Sequence, residues 1–201
     1  MPDVDWMQLY SGQVWEFSNP YVDRINIEDI AHSLSLKCRF NGHCRQFYSV
    51  AQHSLLVAEM LPDNLRLHGL MHDAAEAYIS DIVRGLKNRL MVNVESESGN
   101  IAPVPMMLYE KWIQDAIEFK FGMRVLDAEE ADVLKGVDNT ALSFEAGWLF
   151  EQVPGWDVEG LTEGIPPMLL TLSVLHMGEV EELFLDMFHD DMGKLSLKDT
   201  Q

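Results

Sequence analysis

The sequence predicts an all-α helical bundle with a small N-terminal β-hairpin or arm. Three observations carry that prediction. Apolar residues recur at i, i+3, i+4 spacing in several separated segments, the mark of helices with one face turned to a core. Two of these segments open on reciprocal capping residues, Ser49 with Gln52 and Asp127 with Glu130. Strand signals are confined to residues 7 to 17, MQLYSGQVWEF, which reads as two short strands around Ser11-Gly12.

In chain order, Asn26 opens a helix with Ile27, Ile30, Ala31 and Leu34 on one face. Residues 37 to 48 are irregular. A second helix runs from Ser49 to Met60 with Val50, His53, Val57 and Met60 along one face. A third, entered at Pro62, spans Asp63 to Tyr78 with Leu67, Leu70, Met71, Ala74, Ala75 and Tyr78 at helical spacing. Residues 92 to 105, with their Gly, Pro and polar mix, read as a mobile loop of the length that often forms a lid. Leu108, Trp112, Ala116 and Phe119 mark the apolar stripe of a further helix that Gly122 should end. Asp127 starts the next helix, residues 151 to 167 form a loop, and a last helix runs from Pro167 to about Phe188 with a break near Gly178. No internal repeat is present. The chain reads as a single domain over 1–201, divided into an arm (1–26), a helical core (27–150), and a C-terminal helix and tail (151–201).

At 201 residues and 47% hydrophobic, the chain can bury one sizeable core. No stretch approaches the ~20 apolar residues of a membrane span, and the N-terminus is neither basic nor apolar enough for a signal peptide. Cys38 and Cys44 lack a zinc-binding repeat and read as reduced thiols of a cytoplasmic protein. Methionines and aromatic residues spread over helix faces as core or oligomer interface, and a homo-oligomer is expected. A formal net charge of -19 argues against nucleic-acid partners. Yet seven of the 14 basic residues, Lys37, Arg39, Arg45, Arg66, Arg84, Lys87 and Arg89, fall between 37 and 89.

That cationic stretch surrounds the residues that carry chemistry. His72 and Glu76, expected mid-helix, project about 40° apart at roughly 100° per residue, and Asp73 follows His72 by one such step. His53 faces inward from the preceding helix. Leu134, Val137, Asp138, Ala141 and Leu142 form an i, i+3, i+4, i+7, i+8 stripe with a carboxylate in its middle, which must be protonated, paired or metal-bound, because burying it alone costs several kcal/mol. Two imidazoles with two carboxylates suit one divalent ion, Zn, Mn, Fe, Co or Ni, with positions left open for water. Glu76 is placed to orient that water or take its proton. Arg39 is the natural bidentate clamp for phosphate oxygens, with Arg84, Lys87 and Arg45 as further candidates. His32, His68 and His176 read as hydrogen-bonded structural residues, and the second His-Asp pair, His189-Asp190, as part of a solvated tail.

The order His53, then His72-Asp73, then Asp138, with the contexts YSVAQHS and MHDAAEAYISDIVRGLK, resembles the HD-domain metal-dependent phosphohydrolases, in particular the 5'-deoxynucleotidase branch and its phage-type members. The resemblance covers roughly Ile27 to Phe150. It implies an HD-domain bundle in which His53, His72, Asp73 and Asp138 hold the metal and Glu76 acts on the attacking water. It also implies that Asp81 serves at the substrate sugar or supports Glu76. Arg39 and Phe40 match an element whose arginine binds phosphate and whose aromatic ring packs on deoxyribose; a family member with tryptophan at the second position differs here, where Phe40 stands. The expected activity is hydrolysis of a small deoxynucleotide, either dephosphorylation of a 5'-dNMP or hydrolysis of a dNTP such as dATP. Hydrolysis of another small phosphate ester or a signalling nucleotide stays open, as does a non-catalytic, metal-stabilised nucleotide-binding regulator.

Overall fold

Helix α2 (Val50–Met60) is the element around which the others assemble. In this computed structural model, which describes residues 5–18, 22–95, 98–152, 167–172 and 174–198, its capping box forms as expected. The Ser49 hydroxyl accepts from the Gln52 amide at 3.1 Å and the Gln52 side chain accepts from the Ser49 amide at 2.6 Å. Burial extends over every residue from Val50 to Ala58, because α1 (Ile27–Leu36), α3 (Arg66–Met71), α7 (Ala128–Leu149), α8 (Pro167–Leu172) and α9 (Met177–Lys198) all pack against this one helix. An encircled helix needs apolar residues all round, and its polar groups need internal partners. Gln52 meets that need by donating to the Leu172 carbonyl.

Helix α1 begins at the Asn26 cap, whose side chain accepts from the Asp29 amide at 2.7 Å, and it buries Ile27, Ile30, Ala31 and Leu34. Before it stands the expected hairpin, β1 (Trp6–Gln8) paired antiparallel with β2 (Val14–Glu16). The arm is anchored: Trp15 is fully buried and stacks on Tyr78 at 3.9 Å, and Asp29 accepts from the Ser11 amide and hydroxyl at 2.7 and 2.8 Å. The chain is mostly helical, and no helix among the described residues is long and apolar enough to cross a membrane.

Four expectations are corrected. The single helix over Asp63 to Tyr78 is instead α3, a turn over residues 72–75, and α4 (Glu76–Ile79). Its amides bond three residues back, Ala74 to Met71 at 3.0 Å, Glu76 to Asp73 at 3.0 Å and Ala77 to Ala74 at 3.1 Å, which winds the backbone tighter than an α-helix. The Gly69 carbonyl accepts from the His72 ring Nδ1 at 2.7 Å, so the ring occupies an acceptor that a continuing helix would use. Residues 92–95 and 101–105, expected within a loop, are instead strand residues of a second antiparallel pair, β3 (Met91–Glu95) and β4 (Ile101–Pro105), packed on α6 (Met106–Lys120). Val92 faces Val104 in the register, and Val92 and Val94 pack on the core by alternation. Helix α6 turns Met106, Tyr109, Ile113 and Ile117 inward, whereas Leu108, Trp112 and Phe119 of the expected stripe are exposed. Both rows are apolar and helically spaced, so only the packing partners select one. Finally, α8 and α9 are separate helices that part before Gly178, and α9 continues beyond Phe188, carrying His189-Asp190 on its exposed side instead of in a tail. Most of the expected 151–167 loop, residues 153–166, lies outside the described residues.

Gly69 sets how closely α3 approaches α2. A Cβ there would stand 3.0 Å from the Ala58 Cα and 2.5 Å from Leu61 Cδ1. Gly69→Ala is expected to cost about 1–3 kcal/mol by overpacking and to displace the carbonyl that holds the His72 ring. A shift in the denaturation midpoint with unchanged slope checks the first effect, and weaker Co2+ binding by the folded variant checks the second.

Candidate metal centre and adjoining cleft

Three separate elements bring in the residues nearest the centre. His53 lies on the fourth position of α2, fully buried. The tight turn after α3 presents His72 and Asp73, and α7 presents Asp138 from the stripe that the sequence marks. The ligating atoms of His53, His72 and Asp138 all lie within 4.8 Å of one another, and this group could hold a metal ion. Asp73, the fourth expected ligand, is not part of that group, but its Oδ2 stands close by, 3.3 Å from His72 Nε2 and 3.8 Å from His53 Nε2.

Both imidazoles are oriented from behind. Because the Gly69 carbonyl can only accept, His72 Nδ1 carries the proton and Nε2 is the nitrogen turned to the centre, where it has no hydrogen-bond partner. His53 Nδ1 lies 2.7 Å from Glu145 Oε1, leaving Nε2 to face Asp138 Oδ1 at 3.0 Å. A ligand histidine held through its other nitrogen by a carbonyl or carboxylate is the arrangement that metal sites use.

The electrostatics favour positive charge at this point. Burial works against a charged His72, yet Asp73 and Asp138 outweigh it and raise its pKa well above 6.5. Burial likewise opposes ionisation of Asp73 and Asp138, but the neighbouring imidazoles hold both carboxyls far below the usual range. A cation between them meets groups already disposed to receive it.

A cleft of about 440 Å³ opens beside the centre, and Arg39, Phe40, Asp73, Glu76, Asp81, Arg84, Lys87 and Asp138 all line it. Of the expected catalytic and substrate-binding residues, all but Arg45 line this cleft, though not all are equally disposed. Arg39 is buried, with Nε 3.1 Å from Glu145 Oε2 and Nη1 3.7 Å from Asp73 Oδ2. Its neighbour Phe40 sits at φ 55, a left-handed conformation that costs a bulky residue on the order of 1–3 kcal/mol. Phe150 braces the Phe40 ring edge-on at 5.0 Å. Lys87 is drawn to acids, Glu110 Oε1 at 2.6 Å and Glu76 Oε1 at 3.4 Å, which makes it a holder of Glu76. Arg84 is exposed at the rim on the short helix α5 (Arg84–Lys87). Arg45 donates to the Trp148 carbonyl at 2.5 Å and closes the C-terminus of α7, away from the cleft lining.

Burial, reinforced by Asp73 and Asp81, pushes the Glu76 carboxyl up from 4.5 to about 9. Burial also raises Asp81, against the pull of Arg39. Four buried polar atoms here lack a hydrogen-bond partner: Arg39 Nε, His72 Nε2, Glu76 Oε2 and Glu145 Oε2. Arg39 Nε and Glu145 Oε2 face each other at 3.1 Å as an ion pair, which leaves His72 Nε2 and Glu76 Oε2 as buried polar atoms that a ligand at the centre or in the cleft could satisfy.

Of the histidines read as structural, His68 is buried and His32 partly buried, and both are partnered. His68 Nε2 bonds the Arg124 carbonyl at 2.9 Å, His32 stacks on Tyr10 at 3.7 Å and meets Glu181 at 3.0 Å, and His176 is exposed. Cys38 and Cys44 are free thiols with sulfurs 3.5 Å apart. Sequence reasoning missed Glu145, although it stands seven residues after Asp138 and so continues the same inward stripe.

No family model matches the chain. The uncharacterized protein YfdR of Escherichia coli is 44% identical over 87 residues, 43% of this chain and 49% of that protein, so the chain spans about half of YfdR's length. An uncharacterized protein of Rhodobacter capsulatus is 29% identical over 161 residues, 75% of this chain and 74% of the relative.

Proposed function

We propose that the protein is an HD-domain-type phosphohydrolase that uses one divalent ion to hydrolyse small deoxynucleotides. The observation that carries this reading is the convergence of His53, His72 and Asp138 within 4.8 Å, next to a cleft that holds both Arg39 and Glu76. The donors fit a divalent cation of the Zn, Mn, Fe, Co or Ni kind: two imidazole nitrogens, one of them an orphaned buried atom, with Asp138 and Asp73. Such an ion supplies Lewis-acid charge that acidifies water and draws electron density from a phosphoryl oxygen.

The chain's own groups divide the remaining work. Arg39, preset by Glu145 at Nε, presents its guanidinium end to phosphate oxygens, and Phe40 offers a ring surface to the sugar. Glu76 takes the proton of the attacking water and returns one to the departing alcohol, so that ester and water yield alcohol and phosphate. Lys87 and Glu110 fix Glu76, and Asp81 supports it or meets the sugar hydroxyl. Arg84 adds positive charge at the rim.

Hydrolysis of 5'-dNMPs, dNTPs and their ribose counterparts, read as released phosphate or triphosphate with and without Co2+ or Mn2+, tests the reading, and metal-independent or absent hydrolysis throughout the panel would overturn it. Arg39→Ala is expected to raise KM roughly 10–100-fold, the worth of hydrogen bonds to a charged group, with metal content unchanged. A normal KM would contradict the clamp role.

A further inference from the structure

Glu145 lies at the back of the site, fully buried on α7, where the two halves of the machinery meet. Its Oε1 is 2.7 Å from His53 Nδ1 and its Oε2 is 3.1 Å from Arg39 Nε. We infer that Glu145 is a positioning residue that joins the cation site to the phosphate clamp, one oxygen orienting the His53 imidazole and the other the Arg39 guanidinium. The inference rests on the function proposed above and adds a residue that touches neither metal nor substrate.

Geometry favours this role over a merely structural ion pair. Folding alone gives little reason to keep a buried charge pair, since apolar replacements of similar size are often neutral or stabilising. Besides the buried Tyr48 hydroxyl, which stands beside the carboxylate, Glu145 meets the two groups at this site whose directions matter most. Accepting from His53 Nδ1 directs Nε2 toward the centre and increases the imidazole's strength as a ligand. Engaging Arg39 at Nε, the inner nitrogen, leaves the terminal end of the guanidinium toward the cleft that Arg39 lines. The Arg39 Nε and Glu145 Oε2 atoms are in ion-pair range without an aligned hydrogen bond, so a small rotation of either group remains available as the clamp engages. Asp73 acts on the same two groups from the opposite side, 3.7 Å from Arg39 Nη1 and 3.8 Å from His53 Nε2. The imidazole and guanidinium are thus each held between two carboxylates.

Titrations with Co2+, and then with inorganic phosphate at saturating Co2+, separate the possibilities. Glu145→Gln should weaken Co2+ binding roughly 10–100-fold, the usual effect of losing a carboxylate behind a ligand histidine. It should also weaken phosphate binding by about tenfold or more, as for a hydrogen bond to a charged group. Arg39→Ala should lose phosphate alone. The paired variant R39M/E145Q, which leaves no unpaired buried guanidinium, should keep the Co2+ defect of E145Q. Wild-type-like Co2+ binding by E145Q would overturn the inference, as would loss of only one ligand, or recovery of Co2+ affinity in the paired variant. Failure of the parent protein to bind Co2+ or phosphate would instead bring down the proposed function and this inference with it, a failure read on the parent and not on the variants.

Discussion

Glu76→Gln is expected to reduce turnover of the best deoxynucleotide substrate by about 10²–10⁴-fold, the usual contribution of a positioned acid or base, while metal content stays at the parent level. The substitution is unusually clean at this position. Burial and the neighbouring acids push the Glu76 carboxyl to about 9, so in the metal-free protein the group is already neutral at pH 7, and Gln matches its charge and size. Little stability should therefore be lost. A cation beside Asp73 would cancel part of the acidic field and bring the carboxyl toward the working range, where it can exchange protons. Glutamine cannot make that exchange, although it can still meet Lys87. Steady-state kinetics with metal analysis on the same preparation decides the matter, and preserved turnover would remove Glu76 from the mechanism.

Asp138→Ala should give the opposite pattern, a folded protein that has lost its metal and, through it, its activity. The loss of affinity should exceed the roughly 10–100-fold that removal of a group supporting a ligand produces, because Asp138 is itself one of the three clustered donors. Asp138 Oδ1 also stands 3.0 Å from His53 Nε2 and 3.7 Å from His72 Nε2. Its removal leaves the two imidazoles with less negative charge to offset a cation. Excess metal should restore part of the activity if the remaining donors still converge. Co2+ titration followed by circular dichroism and activity measurements checks this, and parent-like metal binding would exclude Asp138 as a ligand.

Much of the helical order was legible because it is local. The Ser49-Gln52 and Asp127-Glu130 boxes and the Asn26 cap each involve residues three apart, and all three form. The stripe holding Asp138 was also readable, since a carboxylate among inward apolar positions is conspicuous without any partner. Elsewhere the same local rules were ambiguous. In α6, two apolar rows compete and only the neighbouring elements choose between them. The break after Met71 depends on a side chain, the His72 ring, occupying a backbone acceptor. The strand pair of 91–95 and 101–105 was hidden by Gly and Pro, even though Val92 and Val94 alternate in it.

Residue type and spacing by themselves singled out which groups could serve as ligands, acids and clamps: two histidines, two aspartates, Glu76 and Arg39. What only the tertiary structure decided is that they meet. Convergence of α2, the turn after α3, and α7 depends on how closely helices approach and cross, which reflects side chains such as the hydrogen of Gly69 and is not encoded in any one window. For the same reason Glu145 became visible only when His53 and Arg39, from distant parts of the chain, were found against its two oxygens.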